Sequence, residues 1–289
     1  MQLDLFAHSA DVSRSNAVIA ALRARDAVAM RAAIDQVHAH FPGDGNLNNF
    51  EHLYFELLAL EKPGCSATAI ARQVERIETR LLPPLQKLIG SDTAQRWIEP
   101  VYGELARAVA GQAFNRSLAN GHAAGLFLRA GELALARAAV AEIPSWRRIP
   151  EPLSWMAEIA LREGVPDDYW PLVAELAWIA PALLAAVIPR AAPATVLRLC
   201  REFSTDAELD DDENDESTWF PAWLLVEHPE LLPCLRTVQP NDSIPARSAA
   251  LLIDLLIGER KGSTQTLVDK RKQLRDIAPS IFALYLARR

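Results

Sequence analysis

The sequence predicts an all-α fold, and three observations carry that expectation. Of 289 residues only 12 are glycine, while alanine and leucine dominate a chain that is 50% hydrophobic. These are good helix formers, present in sufficient number to bury a core. Apolar residues recur at intervals of three and four, the period of a helix face. No run of alternating β-branched residues marks a strand, and the low glycine count argues against a β-sandwich or a dinucleotide-binding α/β unit.

Taken in order, the first helix starts near Asp11 or Ser13, with Val18, Ile19 and Leu22 on one face. Asp26 then has the placement of an N-cap, and the helix it opens stops at Phe41-Pro42-Gly43. Asn48 begins a segment with Phe50, Leu53, Tyr54, Leu57 and Leu58 on one side, ended by Pro63-Gly64. Ser66 caps a long segment running towards Gly90 and bent at Pro83-Pro84, where two N–H donors are missing. Ser91 caps the next. The pattern continues as roughly a dozen helices of about three turns each.

Parts of the pattern recur. Leu128-Arg129-Ala130-Gly131 is followed by Ala141-Glu142-Ile143, and Leu161-Arg162-Glu163-Gly164 by Ala174-Glu175-Leu176, both blocks displaced by 33 residues. Leu22-Arg23-Ala24 with Arg31-Ala32-Ala33-Ile34 matches Leu128-Arg129-Ala130 with Arg137-Ala138-Ala139-Val140 at a displacement of 106. A helix, a tight turn and a second helix form one αα-hairpin, and a single hairpin cannot bury its own apolar face, so hairpins stack. The Leu-Arg-x-Gly turn, Ala138-Ala139 and the following Ala-Glu-Ile or Ala-Glu-Leu resemble the tetratricopeptide-like class of helical repeats. The class's Trp-x-x-Leu-Gly-x-x-Tyr opening is absent. The resemblance implies an α-solenoid of stacked αα-hairpins with a concave face that takes a protein partner.

After Thr205 the composition changes. Positions 206, 208, 210, 211, 212, 213, 215 and 216 are all acidic, in a chain whose Lys+Arg count is 30 and Asp+Glu count 37. The expected organisation is a helical-repeat array over 1–205, an acidic loop over 206–218 and a helical block over 219–289 packed on the array. The acidic run lacks the Asp-x-Asp-x-Asp-Gly turn of a calcium loop, so no metal site is expected there. The last 31 residues carry eight bases and three acids, densest at Lys270, Arg271, Lys272 and Arg275. These four are the candidate nucleic-acid contacts, although a net charge of −7 argues against a nucleic-acid coat. A basic stripe continuing to Arg147 and Arg148 is what a nucleic-acid-binding solenoid would need. Six of the seven tryptophans fall between Trp146 and Trp223 or at those positions, and helical spacing assigns them to the core.

The sharpest signal is Gln2-Leu3-Asp4-Leu5-Phe6. It resembles the bacterial sliding-clamp-binding pentapeptide, Gln-Leu-Ser/Asp-Leu-Phe, at all five positions. The resemblance implies that Leu5 and Phe6 fill an apolar pocket on the clamp, Gln2 makes polar contacts, and Leu3 and Asp4 adapt to the rim. Leu3, Leu5 and Phe6 have a competing use, packing back onto the first helices.

Three cysteines at long spacings, Cys65, Cys200 and Cys234, fit reduced thiols rather than a disulfide framework or zinc knuckle. Met1 to Phe6 has no basic region and no long apolar run, so no signal peptide is expected, and the stretch from Trp170 to Pro189 is broken by three prolines and carries Glu175, so no membrane span is expected. His-Glu-x-x-His, Gly-x-Ser-x-Gly and a Gly-rich Lys loop are all absent. Together these point to a cytoplasmic, non-catalytic interaction scaffold without cofactor, serving as a replication or repair adaptor. The alternatives are an enzyme whose site is assembled from dispersed residues, and a nucleic-acid-binding solenoid.

Overall fold

The computed structural model describes residues 15–60, 64, 66–206, 216–261 and 265–289. Gln2, Leu3, Asp4, Leu5, Phe6, Cys65 and the acidic positions between 207 and 215 lie outside the described residues. The described chain is helical throughout and contains no strand. Contacts divide it into two compact units, Met1–Ala139 and Val140–Arg289, and the acidic stretch falls inside the second.

The first unit begins with α1 (residues 15–24), α2 (Ala27–His40) and α3 (Leu47–Leu60). Asp26 caps α2 as its sequence position predicts, its carboxylate accepting the Ala29 N–H at 2.8 Å. Ser66 does the same for α4 (Ala67–Arg76), accepting the Ala69 N–H at 3.2 Å. The expected bend at Pro83-Pro84 takes a different form. The chain widens into a π turn over Ile77–Leu81, and the prolines open α5 (Leu82–Ile89) at its first positions. Proline has no N–H for the carbonyl four residues back, and the Arg80 carbonyl that Pro84 leaves free is taken by His52 Nε2 at 2.8 Å. α6 (Ser91–Ala108) starts at Ser91 with Gly90 as the capping residue, φ 83°, and no side-chain cap bond, so Ser91 lies inside the helix rather than before it.

A 3₁₀ turn over Arg116–Gly121 brings Gly121 against α4; a Cβ there would lie 2.9 Å from the Ala71 nitrogen and 3.0 Å from the Ala67 oxygen. This is a position where only glycine fits. α7 (Ala123–Arg129) packs on α6, and α8 (Leu133–Ala141) follows. Trp97 on α6 is buried, its indole N–H donating to the Leu22 carbonyl at 2.9 Å.

The second unit holds α9 (Pro150–Glu163), α10 (Pro166–Ile179), α11 (Pro181–Ala191) and α12 (Ala194–Asp206), then α13 (Phe220–Glu227), the short α14 (Leu232–Leu235), α15 (Ile244–Lys261), α16 (Gln265–Ile277) and α17 (Pro279–Ala287). α9 packs on α10 and α11; α10 also meets α13 and α14, and α15 meets α13 and α16. The 219–289 segment is therefore built into the same unit as α9 to α12. Trp170, Phe203, Phe220 and Trp223 form one aromatic cluster, with Phe203 and Phe220 rings 5.4 Å apart and Phe203 and Trp223 rings 5.5 Å apart. Trp97, Trp170, Trp178, Trp219 and Trp223 are buried, whereas Trp146 and Trp155 are half-buried.

Three helix–helix turns pass through a left-handed residue, and two of them share the same pair of hydrogen bonds. After α1, Arg25 has φ 55°, its N–H reaches the Leu22 carbonyl at 3.0 Å, and the Asp26 N–H reaches the Ala21 carbonyl at 3.0 Å. After α7, Gly131 has φ 75°, its N–H reaches Leu128 at 3.1 Å, and the Glu132 N–H reaches Phe127 at 2.9 Å. Each bond of one pair stands 106 residues from its counterpart. After α9, Gly164 has φ 76° and closes on the Ala160 carbonyl at 3.0 Å. All three are left-handed helix C-caps. After the first two turns the buried positions correspond, Met30 with Ala136, Ile34 with Val140 and Val37 with Ile143. After the third turn the pattern is different, with every residue from Tyr169 to Trp178 buried, Glu175 among them, while Glu142 is exposed.

Candidate functional site

The candidate basic residues lie on α16, and α15 supplies acids to two of the four, Lys270 and Arg271. Lys270 Nζ meets Asp254 of α15 at 2.5 Å, and Arg275 meets Asp276 at 3.3 Å. Arg271 donates to Glu259 of α15 at 2.8 Å and to the Tyr285 hydroxyl of α17 at 3.3 Å. Lys272 is exposed. The structure thus brings Arg271 into a polar cluster and leaves the other three on the surface of the same helix. A phosphate binding here would have to compete with carboxylates at ion-pair distance. Arg147 and Arg148, the expected extension of a basic stripe, are also engaged: Arg147 with Glu175 at 2.5 Å, and Arg148 with the Gln239 carbonyl at 3.2 Å.

Glu259 is the hub of the C-terminal cluster. It accepts from Arg271 and from the Tyr285 hydroxyl and is ion-paired with Arg289. Burial pushes the Tyr285 phenol up, and the hydrogen bond to Glu259 adds to the shift. The hydrogen bond to Tyr285, then that to Glu259, raises the Arg271 guanidinium. Glu259, Tyr285 and Arg289 border a hollow of about 310 Å³ shared with Leu256, Arg260 and Arg288. Arg260 reaches the Pro229 carbonyl at 3.1 Å, and Arg288 pairs with Glu227 at 2.8 Å. Both hydrogen bonds fall on one oxygen of Glu259, Oε1, and Arg289 faces the other. The arrangement joins α15, α16 and α17.

A second, wider hollow of about 570 Å³ lies along α12 and α13. There His228 sits 3.1 Å from Glu230 and 3.5 Å from Glu202, with its ring edge-on to Trp223 at 5.6 Å. Among the described residues no group of three or more His, Cys, Asp or Glu side chains is gathered to hold a metal ion. Cys200 and Cys234 are free thiols, both pushed up to about 11 by burial, Cys234 also by Asp167. No described helix is long and apolar enough to cross a membrane.

The sequence reading missed a set of buried acids. Glu56 is 2% exposed and meets Arg76 at 2.5 Å and Arg80 at 3.2 Å. Glu158 meets Arg162 at 2.5 Å and Arg190 at 2.7 Å. Glu175, 1% exposed, accepts from Arg147 Nε at 2.8 Å and Nη2 at 2.5 Å and from the Gln239 N–H at 2.8 Å. Only Glu158 and Arg162, one helical turn apart, leave a trace in the sequence. The others pair across 20 to 32 residues.

Comparison with protein-family models, curated proteins and solved structures finds no match for this chain.

Proposed function

We propose that this chain is a non-catalytic interaction scaffold of αα-hairpins, tetratricopeptide-like in kind, that carries Gln2, Leu3, Asp4, Leu5 and Phe6 as bait for a bacterial DNA sliding clamp. The observation that supports the scaffold reading is the matched left-handed turn at Arg25 and Gly131, with the same pair of N–H bonds and corresponding buried positions after each. Stacked hairpins expose an extended face suited to a protein partner. A scaffold of this kind needs no reacting group. The charged clusters at Glu56, Glu158, Glu175 and Glu259 are occupied with arginines and fit that role.

The clamp reading is supported by the five-residue match. A few apolar anchors carry most of the energy in such short peptides, which assigns the main part to Leu5 and Phe6. The proposed compartment is the cytoplasm, where Cys200 and Cys234 stay reduced. Deleting residues 1–6 tests the proposal. Clamp binding is expected to be lost while the far-ultraviolet circular dichroism of the helices is unchanged. Binding that survives the deletion removes the adaptor role.

A further inference from the structure

Three arginines stand around the hollow of about 310 Å³ that α13, α15 and α17 border in the second unit. Its floor is apolar: Val226, Leu256 and Tyr285 line it and are buried. Arg260, Arg288 and Arg289 line it and are exposed. Glu259 is the one carboxylate among the described lining residues, and it is already held by Arg271 at 2.8 Å, by the Tyr285 hydroxyl and by Arg289. The volume sits at the small end of ligand pockets, and neither the hairpin turns nor the terminal peptide makes use of it.

The three guanidiniums differ in what they meet. Arg288 Nε pairs with Glu227 at 2.8 Å. Arg289 pairs with Glu259 and lies over the Tyr285 ring, 5.0 Å from its centre. These two follow α17, and cations gather at helix C-termini for general reasons. Arg260 is different. Its Nη2 donates to the Pro229 carbonyl at 3.1 Å, and among the described residues it meets no carboxylate at ion-pair distance. A guanidinium carries five N–H donors in a planar fork, so Arg260 brings to the rim a charge and donors that no acid answers. With Glu227 counted beside its partner, three cations face two anions, an excess of one positive charge before Arg271 is added, in a chain whose net charge is −7.

We propose that this hollow is a binding site for a small amphiphilic carboxylate, with an aliphatic or aromatic body on Val226, Leu256 and Tyr285 and its head at the rim on the Arg260 guanidinium. The guanidinium fork matches a carboxylate in plane and spacing, and Glu259 in the wall disfavours a head of higher negative charge. The floor gives affinity by apolar burial, and Arg260 gives the sign. An alcohol of the same body meets the floor but leaves Arg260 unanswered, and an amine meets a like charge.

The test is calorimetric titration of the full chain with three probes of one body: octanoate, octanol and octylamine. Octanoate is expected to bind saturably at one site, and octanol and octylamine at least tenfold more weakly. Arg260→Gln and Arg260→Glu, both at an exposed position and both checked by circular dichroism, are expected to weaken octanoate tenfold or more. Arg275→Gln removes an exposed arginine of α16 that does not line the hollow, and is expected to leave octanoate within twofold of the parent. No saturable binding of octanoate, or equal binding of octanol or octylamine, overturns the site. Octanoate binding that both Arg260 substitutions leave intact, or that Arg275→Gln weakens as much as they do, overturns the placing of the head on Arg260.

Discussion

Truncating Arg147 strands a carboxylate. Glu175 is 1% exposed and is held by both Nε and Nη2 of Arg147, at 2.8 and 2.5 Å, and by the Gln239 N–H at 2.8 Å. Removing one partner of a buried ion pair costs about 3–5 kcal/mol, because the remaining charge stays out of water. Two features of this site lower that figure. The backbone donor at Gln239 remains, and the Arg147 side chain is 27% exposed, so water reaches the vacated place. Arg147→Ala is therefore expected to cost about 2–3 kcal/mol. In a body of this size that lowers the melting temperature by about 5–10 °C, read by circular dichroism at 222 nm. The double variant Arg147→Met with Glu175→Gln removes both charges yet keeps an acceptor for Gln239, and should lie within about 1 kcal/mol of the parent. The reasoning is refuted if Arg147→Ala costs less than about 0.5 kcal/mol, or if the double variant is as unstable as the single one.

Three further outcomes are expected. Gly131→Ala and Gly164→Ala each place a Cβ in open space but at φ 75° and 76°, so each should cost about 1–2 kcal/mol from backbone strain alone, measured by urea unfolding. Gly121→Ala instead drives a Cβ onto the backbone of α4 at 2.9 Å, and should cost about 1–3 kcal/mol by overpacking, visible in the same assay. Burial raises Tyr102 from 10.0 to about 12 and Cys200 from 9.0 to about 11, favouring their neutral forms in the folded chain. Their contribution is whole below the ordinary values and is lost as pH rises through the raised ones. Stability should therefore fall between about pH 9 and 12, and Cys200 should resist a thiol reagent at pH 8 until denaturant is added.

The local signals were the legible part of this fold. Asp26 and Ser66 cap helices because a short side-chain acceptor ahead of an apolar run has one low-energy use, and the structure gives each its amide donor. The bend ahead of Pro83-Pro84 was legible as a place but not as a form. Whether missing donors produce a kink or a π turn depends on who takes the freed carbonyl, and His52 lies 28 residues from Arg80. Ser91 misled for a related reason: Gly90 at φ 83° already turns the chain, so the serine enters the helix. The charged sites were the least legible. Lys270 and Arg271 read as a basic patch in one dimension, and folding sets Asp254 and Glu259 of α15 against them. Buried acids such as Glu56 and Glu175 look like any surface glutamate until distant arginines meet them. The peptide Gln2-Leu3-Asp4-Leu5-Phe6 is legible only by resemblance, and its positions lie outside the described residues.

The most direct measurement is calorimetric titration of a purified bacterial sliding clamp with the full chain and with a Leu5→Ala/Phe6→Ala variant. The account predicts saturable binding by the parent chain and a loss of at least thirtyfold in the variant, with equal melting temperatures. No binding by the parent chain, or equal binding by both, contradicts it. A variant that binds no clamp and also melts lower than its parent places Leu5 and Phe6 in the packing rather than in the bait.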